Sequence, residues 1–262
     1  MPCGVPRRVL IACSTGGFPQ DTLSAALRRI GWAGYAAAEV VLAGASEELP
    51  EADVLRARLN AEELEPAALF IGAAPGVSDD LDGWARLGRA AALAAELSTP
   101  ERGGLVVAHA PPLGEGTREG LVAGLKLLDR ALADTPMTLA LVNRAGTLLA
   151  TPEDFAALWQ AGASERLAIA LDPAQAELAG WDPVRREGLP VPVRHVYWND
   201  IRQRRPAPAG TGDLPLRVLA ETLTGDAAPR SLTVLLDGAD PWAVEPVAHE
   251  LLDSVTALFA FE

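Results

Sequence analysis

Leu167-Ala168-Ile169-Ala170-Leu171-Asp172 is the stretch whose reading decides the fold. In a β-strand successive side chains point to opposite faces. Leu167, Ile169 and Leu171 then share one side, and Ala168, Ala170 and Asp172 share the other. Bulky aliphatics suit a face covered by helices, whereas small residues suit a crowded lumen. Met137 to Asn143 repeats the pattern upstream, with Met137, Leu139 and Leu141 outward and Thr138, Ala140 and Val142 inward. Downstream, Val191-Pro-Val-Arg-His-Val-Tyr-Trp-Asn-Asp200 places Val193, His195, Tyr197 and Asn199 on one face. Arg194, Val196, Trp198 and Asp200 fall on its other face, and Trp198 reads as core.

Strand-like and helix-like runs alternate outward from these three. Further strands are expected over 9–13, 34–41, 67–71, 105–109 and 232–237. Helical periodicity marks 21–30, 52–64, 81–97, 120–133, 152–160, 214–223 and 244–259, and 174–178 has room for a turn or two. Eight strands, each followed by a helix or helix-like segment, predict a single (β/α)8 TIM barrel spanning 1–262 as one domain. A doubly wound open sheet has the same alternation, but Gly16-Gly17 makes no Gly-x-Gly-x-x-Gly loop and no phosphate-cradling loop occurs elsewhere.

Composition narrows the function. The chain has 262 residues, is 49% hydrophobic and carries a net charge of −13, so it can fill a large core and repels phosphate backbones. Nucleic acid is therefore excluded as a partner. No apolar run reaches the roughly 20 residues of a membrane helix, and no membrane association is expected. Two cysteines, Cys3 and Cys13, make no disulfide framework, and a reduced cytoplasmic setting fits them. Cys13 has no adjacent base to stabilise a thiolate.

Polar groups sit where strands end: Glu39, His109, Asn143 with Arg144, Asp172 with Gln175, His195 with Tyr197 and Asn199, and Asp237. In this fold catalytic groups collect at the C-terminal rim. His249, in the last helix, reads as structural. Arg202, Arg204 and Arg205 follow the seventh strand and either clamp an anion or lie solvated in a loop.

In order and wording these segments resemble the xylose isomerase-like TIM barrels, the sugar phosphate isomerase/epimerase superfamily. The segments concerned are Gly34-Tyr35 through Glu39, Val107-Ala108-His109, Leu139 to Asn143, Leu171-Asp172-Pro173-Ala174-Gln175, His195 to Asp200 and Gly210-Thr211-Gly212-Asp213-Leu214. The resemblance implies a divalent metal held by glutamate, aspartate, histidine and glutamate on strands five to eight. Those positions fall on Val142, Asp172, Tyr197 and Asp237; the family's second histidine falls on Gln175 and its lysine on Asn199. A valine has no lone pair, and a phenol is a poor ligand for Mg²⁺ or Mn²⁺. The metal site is thus expected to be degenerate, with Asp172 and Asp237 its only remaining ligand candidates. A divalent metal is less expected here than in the family, and the cofactor is unknown.

The resemblance implies a divergent sugar or sugar-phosphate isomerase/epimerase with a small polyhydroxylated substrate. Glu39, His109, Asp172 and Asp237 are the catalytic candidates, and Asn143, Arg144, Gln175, His195, Tyr197 and Asn199 the substrate-binding ones. The alternative is a non-catalytic barrel that binds a small polar metabolite after losing the metal. An abasic-site endonuclease would need far more His and carboxylate ligands for its zinc ions.

Overall fold

The computed structural model describes residues 9–42, 48–99, 102–185, 189–224, 228–236 and 244–259. Seven strands come first: β1 (Leu10–Ser14), β2 (Ala37–Val41), β3 (Glu65–Ala73), β4 (Gly104–His109), β5 (Met137–Val142), β6 (Leu167–Leu171) and β7 (Val193–Trp198). A short hairpin follows, β8 (Asp200–Arg202) and β9 (Arg205–Ala207), and β10 (Ser231–Val234) is the last strand. The strands β1–β7 and β10 pair in parallel and close into a barrel, with β1 between β2 and β10. The helices are α1 (Leu23–Trp32), α2 (Ala52–Ala61), α3 (Leu81–Leu97), α4 (Arg118–Ala131), α5 (Pro152–Gln160), α6 (Pro173–Ala179), α7 (Leu216–Thr222) and α8 (Val244–Phe259). This is the expected (β/α)8 architecture.

The alternation in β5 and β6 does what a closed sheet requires. Met137, Leu139, Leu141, Leu167, Ile169 and Leu171 join the outer core, with helix residues such as Leu87, Leu125 and Phe155. Ala140, Val142, Ala168 and Ala170 form a separate inner cluster with Leu105, Val107 and Tyr197. Trp198 lies in the outer core with its ring edge-on to Phe259 at 5.8 Å.

Helix starts are fixed by side chains that accept otherwise orphaned amides. Thr22, Asp80 and Thr117 cap α1, α3 and α4. Thr151 and Asp154 form a reciprocal capping box on α5, and Pro152 sits in its first turn. Asp172 caps α6 by accepting from the Gln175 amide at 3.0 Å, so one residue both ends β6 and starts the helix.

Three expectations are corrected. β2 begins at Ala37 rather than Gly34, because Gly34 takes a left-handed turn at φ 90°. β3 is longer than the expected 67–71, running nine residues. The hairpin β8–β9 was not expected, because its two-residue turn is Gln203-Arg204 rather than a glycine pair. Both residues are held at positive φ, 51° and 60°. The expected eighth strand over 232–237 is seen as Ser231–Val234, and Asp237 lies outside the described residues.

Candidate active site at the C-terminal mouth

Three clusters occupy the upper lumen and its rim. The deepest is built on Glu39, which is 1% exposed in β2. Its Oε1 accepts from Ser14 Oγ at 2.9 Å and its Oε2 from the Tyr197 hydroxyl at 2.9 Å. His195 Nε2 lies 3.3 Å from Oε2, an ion-pair distance without hydrogen-bond alignment. The other ring nitrogen, Nδ1, is 2.8 Å from Ser231 Oγ. The His195 and Tyr197 rings meet edge to face at 4.8 Å. A buried carboxylate needs such partners, since losing water without replacing its hydrogen bonds is costly. Glu39 is thus tied to Ser14, at the end of β1, and to Tyr197 in β7. His195, fully buried, supports the cluster from below.

The second cluster orients Asp172. Asn143 is fully buried and pairs with the Asp172 backbone at both ends of its amide: Oδ1 accepts from the Asp172 N–H at 2.7 Å, and Nδ2 donates to its carbonyl at 2.9 Å. Asn199, also fully buried, donates Nδ2 to Asp172 Oδ1 at 3.0 Å while its Oδ1 accepts from the Ala174 amide at 3.4 Å. Asn143 and Asn199 are thus spent on positioning, not facing a ligand. Gln175, half-buried, accepts on Oε1 from the Ala145 amide at 3.2 Å.

The third cluster is the most accessible. His109 ends β4 with its ring edge-on to Phe70 at 4.9 Å. The Arg144 guanidinium lies 2.8 Å from His109 Nδ1 and 3.3 Å from Nε2. Arginine can only donate, so the nearer Nδ1 accepts and the ring proton belongs on Nε2. Burial first, and the Arg144 charge second, push the His109 imidazole down to about 4. His109 is accordingly neutral across the physiological range. Cys13, by contrast, packs outside the lumen and burial raises its thiol, which makes it inert. His249 contacts the Ala33 carbonyl at 3.2 Å, in keeping with a structural role.

Ser14, Phe70 and Ser231 were missed from sequence. Phe70 could not be reached by counting along β3 because the register shifts between Phe70 and Ala73. Asp200 was also missed as a site-shaping residue. It is 1% exposed, and its carboxylate accepts from the amides of Ile201, Gly210, Gly212 and Leu214 at 2.7 to 3.1 Å. Those four bonds fasten the β8–β9 hairpin and the following loop beside α6. Arg202, Arg204 and Arg205 lie exposed on that hairpin.

Of the four positions that the resemblance implies for a divalent metal, Val142, Asp172 and Tyr197 are described and Asp237 is not. Val142 is buried and apolar, and the Tyr197 hydroxyl is turned to Glu39. Asp172 Oδ1 already accepts two N–H groups. Among the described residues, no three His, Cys, Asp or Glu side chains group so as to hold a metal ion. No helix among them is long and apolar enough to cross a membrane.

No protein-family model matches the chain, and no curated protein matches it in sequence. Solved structures do match it in shape. A xylose isomerase domain protein from Alicyclobacillus acidocaldarius superposes with a TM-score of 0.73 at 19% identity, covering 97% of this chain and 100% of that one. A probable 3-DHS dehydratase from Bacillus anthracis gives 0.75 at 14% identity, over 95% and 99% of the two chains. A D-allulose 3-epimerase from Methylomonas sp. gives 0.71 at 15% identity, over 97% and 99%. The chain has the fold of the xylose isomerase-like and sugar epimerase TIM barrels.

Proposed function

We propose that the chain is a sugar or sugar-phosphate isomerase/epimerase that works at the C-terminal mouth on a small polyhydroxylated substrate, using its own side chains in place of a divalent metal. The observation that carries this reading is the Asp172 carboxylate, held in one orientation by Asn199 and the Gln175 amide at the end of β6. One of the similar structures is a D-allulose 3-epimerase in complex with D-allulose, which supports a sugar-like ligand.

The chemistry follows from the three clusters. A fixed carboxylate is suited to take a proton from a carbon next to a carbonyl and to return it. The enediolate formed between those events carries charge on oxygen, and the Arg144 guanidinium and His109 Nε2–H are the donors for it. A neutral His109 donates without competing for the substrate proton. Gln175 and the Tyr197 hydroxyl recognise substrate hydroxyls. Glu39 and His195 position Tyr197, and Asn143 and Asn199 position Asp172. Asp237 enters on its place in the sequence, as the second acid/base group.

Deuterium uptake from D2O into a panel of ketoses and sugar phosphates, followed by NMR, tests the proposal. At least one substrate is expected to exchange, and Asp172→Asn to slow that exchange by about 10²–10⁴-fold. Treatment with EDTA is expected to leave the wild-type rate unchanged. A rate abolished by EDTA and restored by Mn²⁺ would overturn the metal-free mechanism. Saturable sugar binding without any exchange would favour the non-catalytic barrel.

A further inference from the structure

The hairpin β8–β9 is built at odds with its own stability. Its ladder sets Arg202 directly opposite Arg205, across the two-residue turn Gln203-Arg204. Directly opposite side chains share a face, with Cβ atoms about 4.5–5.5 Å apart, and like charges placed so destabilise the pair. Both turn residues hold positive φ without being glycine, which adds strain. Two strands this short gain little by themselves. What holds them is the Asp200 carboxylate at the base, with its four amide donors. Residues 202–206 are exposed, so packing at the tip does not explain why two guanidinium groups are brought together there. Among the described residues, no ion pair involves Arg202, Arg204 or Arg205.

The hairpin follows the C-terminal end of β7, on the side of the mouth. Asn199 donates to Asp172 Oδ1 at 3.0 Å, and the next residue, Asp200, fastens the hairpin. Consecutive residues thus tie the Asp172 carboxylate and the arginine pair to one strand end. The hairpin lies beside α6, which Asp172 caps. From Asp200 to Arg202 the strand advances only about 7 Å.

On the basis of the sugar reading of the mouth, we propose that Arg202 and Arg205 clamp an oxyanion on the substrate, a phosphate or carboxylate at the end remote from the reacting carbons. A guanidinium presents its donors as a planar fork, and two forks on one face can hold one oxyanion between them. Arg204, in the turn that joins them, adds to the positive charge at the tip. A bound anion also relieves the repulsion between Arg202 and Arg205, which a neutral sugar leaves in place. The pair therefore determines the class of substrate and takes no part in the chemical step.

Fructose, fructose 6-phosphate and fructuronate form a matched series, with a hydroxyl, a phosphate or a carboxylate on the same carbon chain. Calorimetry on the full chain reads binding, and deuterium uptake reads chemistry. The wild type is expected to bind one or both anionic ketoses about tenfold or more tighter than fructose, and the better of the two names the head group. Arg202→Gln/Arg205→Gln is expected to weaken the anionic ketose by about tenfold or more and to leave fructose nearly unchanged. Arg202→Lys/Arg205→Lys keeps the charge without the fork and is expected to recover only part of that loss. For any anionic substrate that exchanges deuterium, the glutamine pair is expected to raise KM with kcat nearly unchanged. Equal binding of all three ketoses, no binding of either anionic one, or undiminished anion binding by the glutamine pair would each overturn the clamp. So would an equal loss of fructose binding, which would mark general damage to the mouth. Anion-selective, arginine-dependent binding without deuterium uptake would instead remove the isomerase reading and leave the clamp standing.

Discussion

Glu39 is a carboxylate with no water to turn to, and its stability is that of its neighbours. Removing it strands the Ser14 and Tyr197 hydroxyls inside the lumen. Glu39→Ala is therefore expected to cost about 2–6 kcal/mol in urea unfolding, from two buried hydroxyls that lose their acceptor at about 1–3 kcal/mol each. A loss below about 1 kcal/mol would mean that the network holds nothing. His109 makes a pH prediction. Its folded pKa of about 4 lies below the unfolded value near 6.5. Between those values the unfolded chain binds a proton that the folded chain refuses, so stability falls as pH drops through this window and is flat above it. His109→Gln should remove that slice of the pH dependence, read as the difference between the two melting-temperature profiles. At this scale the rim was legible in sequence, because polar residues stand out where an apolar strand stops. Their partners were not. Glu39 and Tyr197 come from distant strands, and alternation says which way a side chain points without saying what it meets across a lumen.

The Asp200 loop shows how one side chain can specify a whole element. Four backbone amides converge on its carboxylate, and hydrogen bonds to a charged acceptor contribute about 1.5–3 kcal/mol each. Asp200→Ala is expected to release residues 201–214 without opening the barrel. Limited proteolysis should then cut in that stretch, while the far-ultraviolet circular dichroism stays near that of the parent. Global unfolding on substitution would instead make Asp200 part of the barrel's own support. The α6 helix is similar in kind. Seven residues are too few to hold a helix alone, and it is defined by the Asp172 cap at one end and Gly180 at φ 87° at the other. The expected bounds match α3 and α5, whereas the fourteen-residue α4 lies two residues earlier than its periodicity suggested. Periodicity could not find a hairpin whose turn is Gln203-Arg204, since nothing in those side chains favours positive φ.

Over the whole molecule, the two faces of the sheet obey different packing rules, and substitution should expose the difference. Ala170→Leu forces methylenes into the filled lumen and is expected to cost about 1–3 kcal/mol. Ile169→Ala, its neighbour on the outer face, empties space beneath the helices and is expected to cost about 2–5 kcal/mol. Denaturant titration of both variants checks the assignment; neutrality of Ala170→Leu would imply a hollow lumen. This asymmetry, at Leu167 to Asp172 and again at Met137 to Asn143, supported the barrel that the alternation of eight strand-like and helix-like runs had indicated.

The barrel shuts along one seam, where Leu10 stands opposite Ser231 with nearly the whole chain between them. A nascent polypeptide emerging from the ribosome must carry β1 with an open edge until β10 appears, and contacts this distant in sequence form slowly. Newly synthesised copies are thus most vulnerable to mispairing before β10 has been made. Any chain order of a closed barrel keeps one such seam, so permutation moves the late closure to another strand pair and does not remove it.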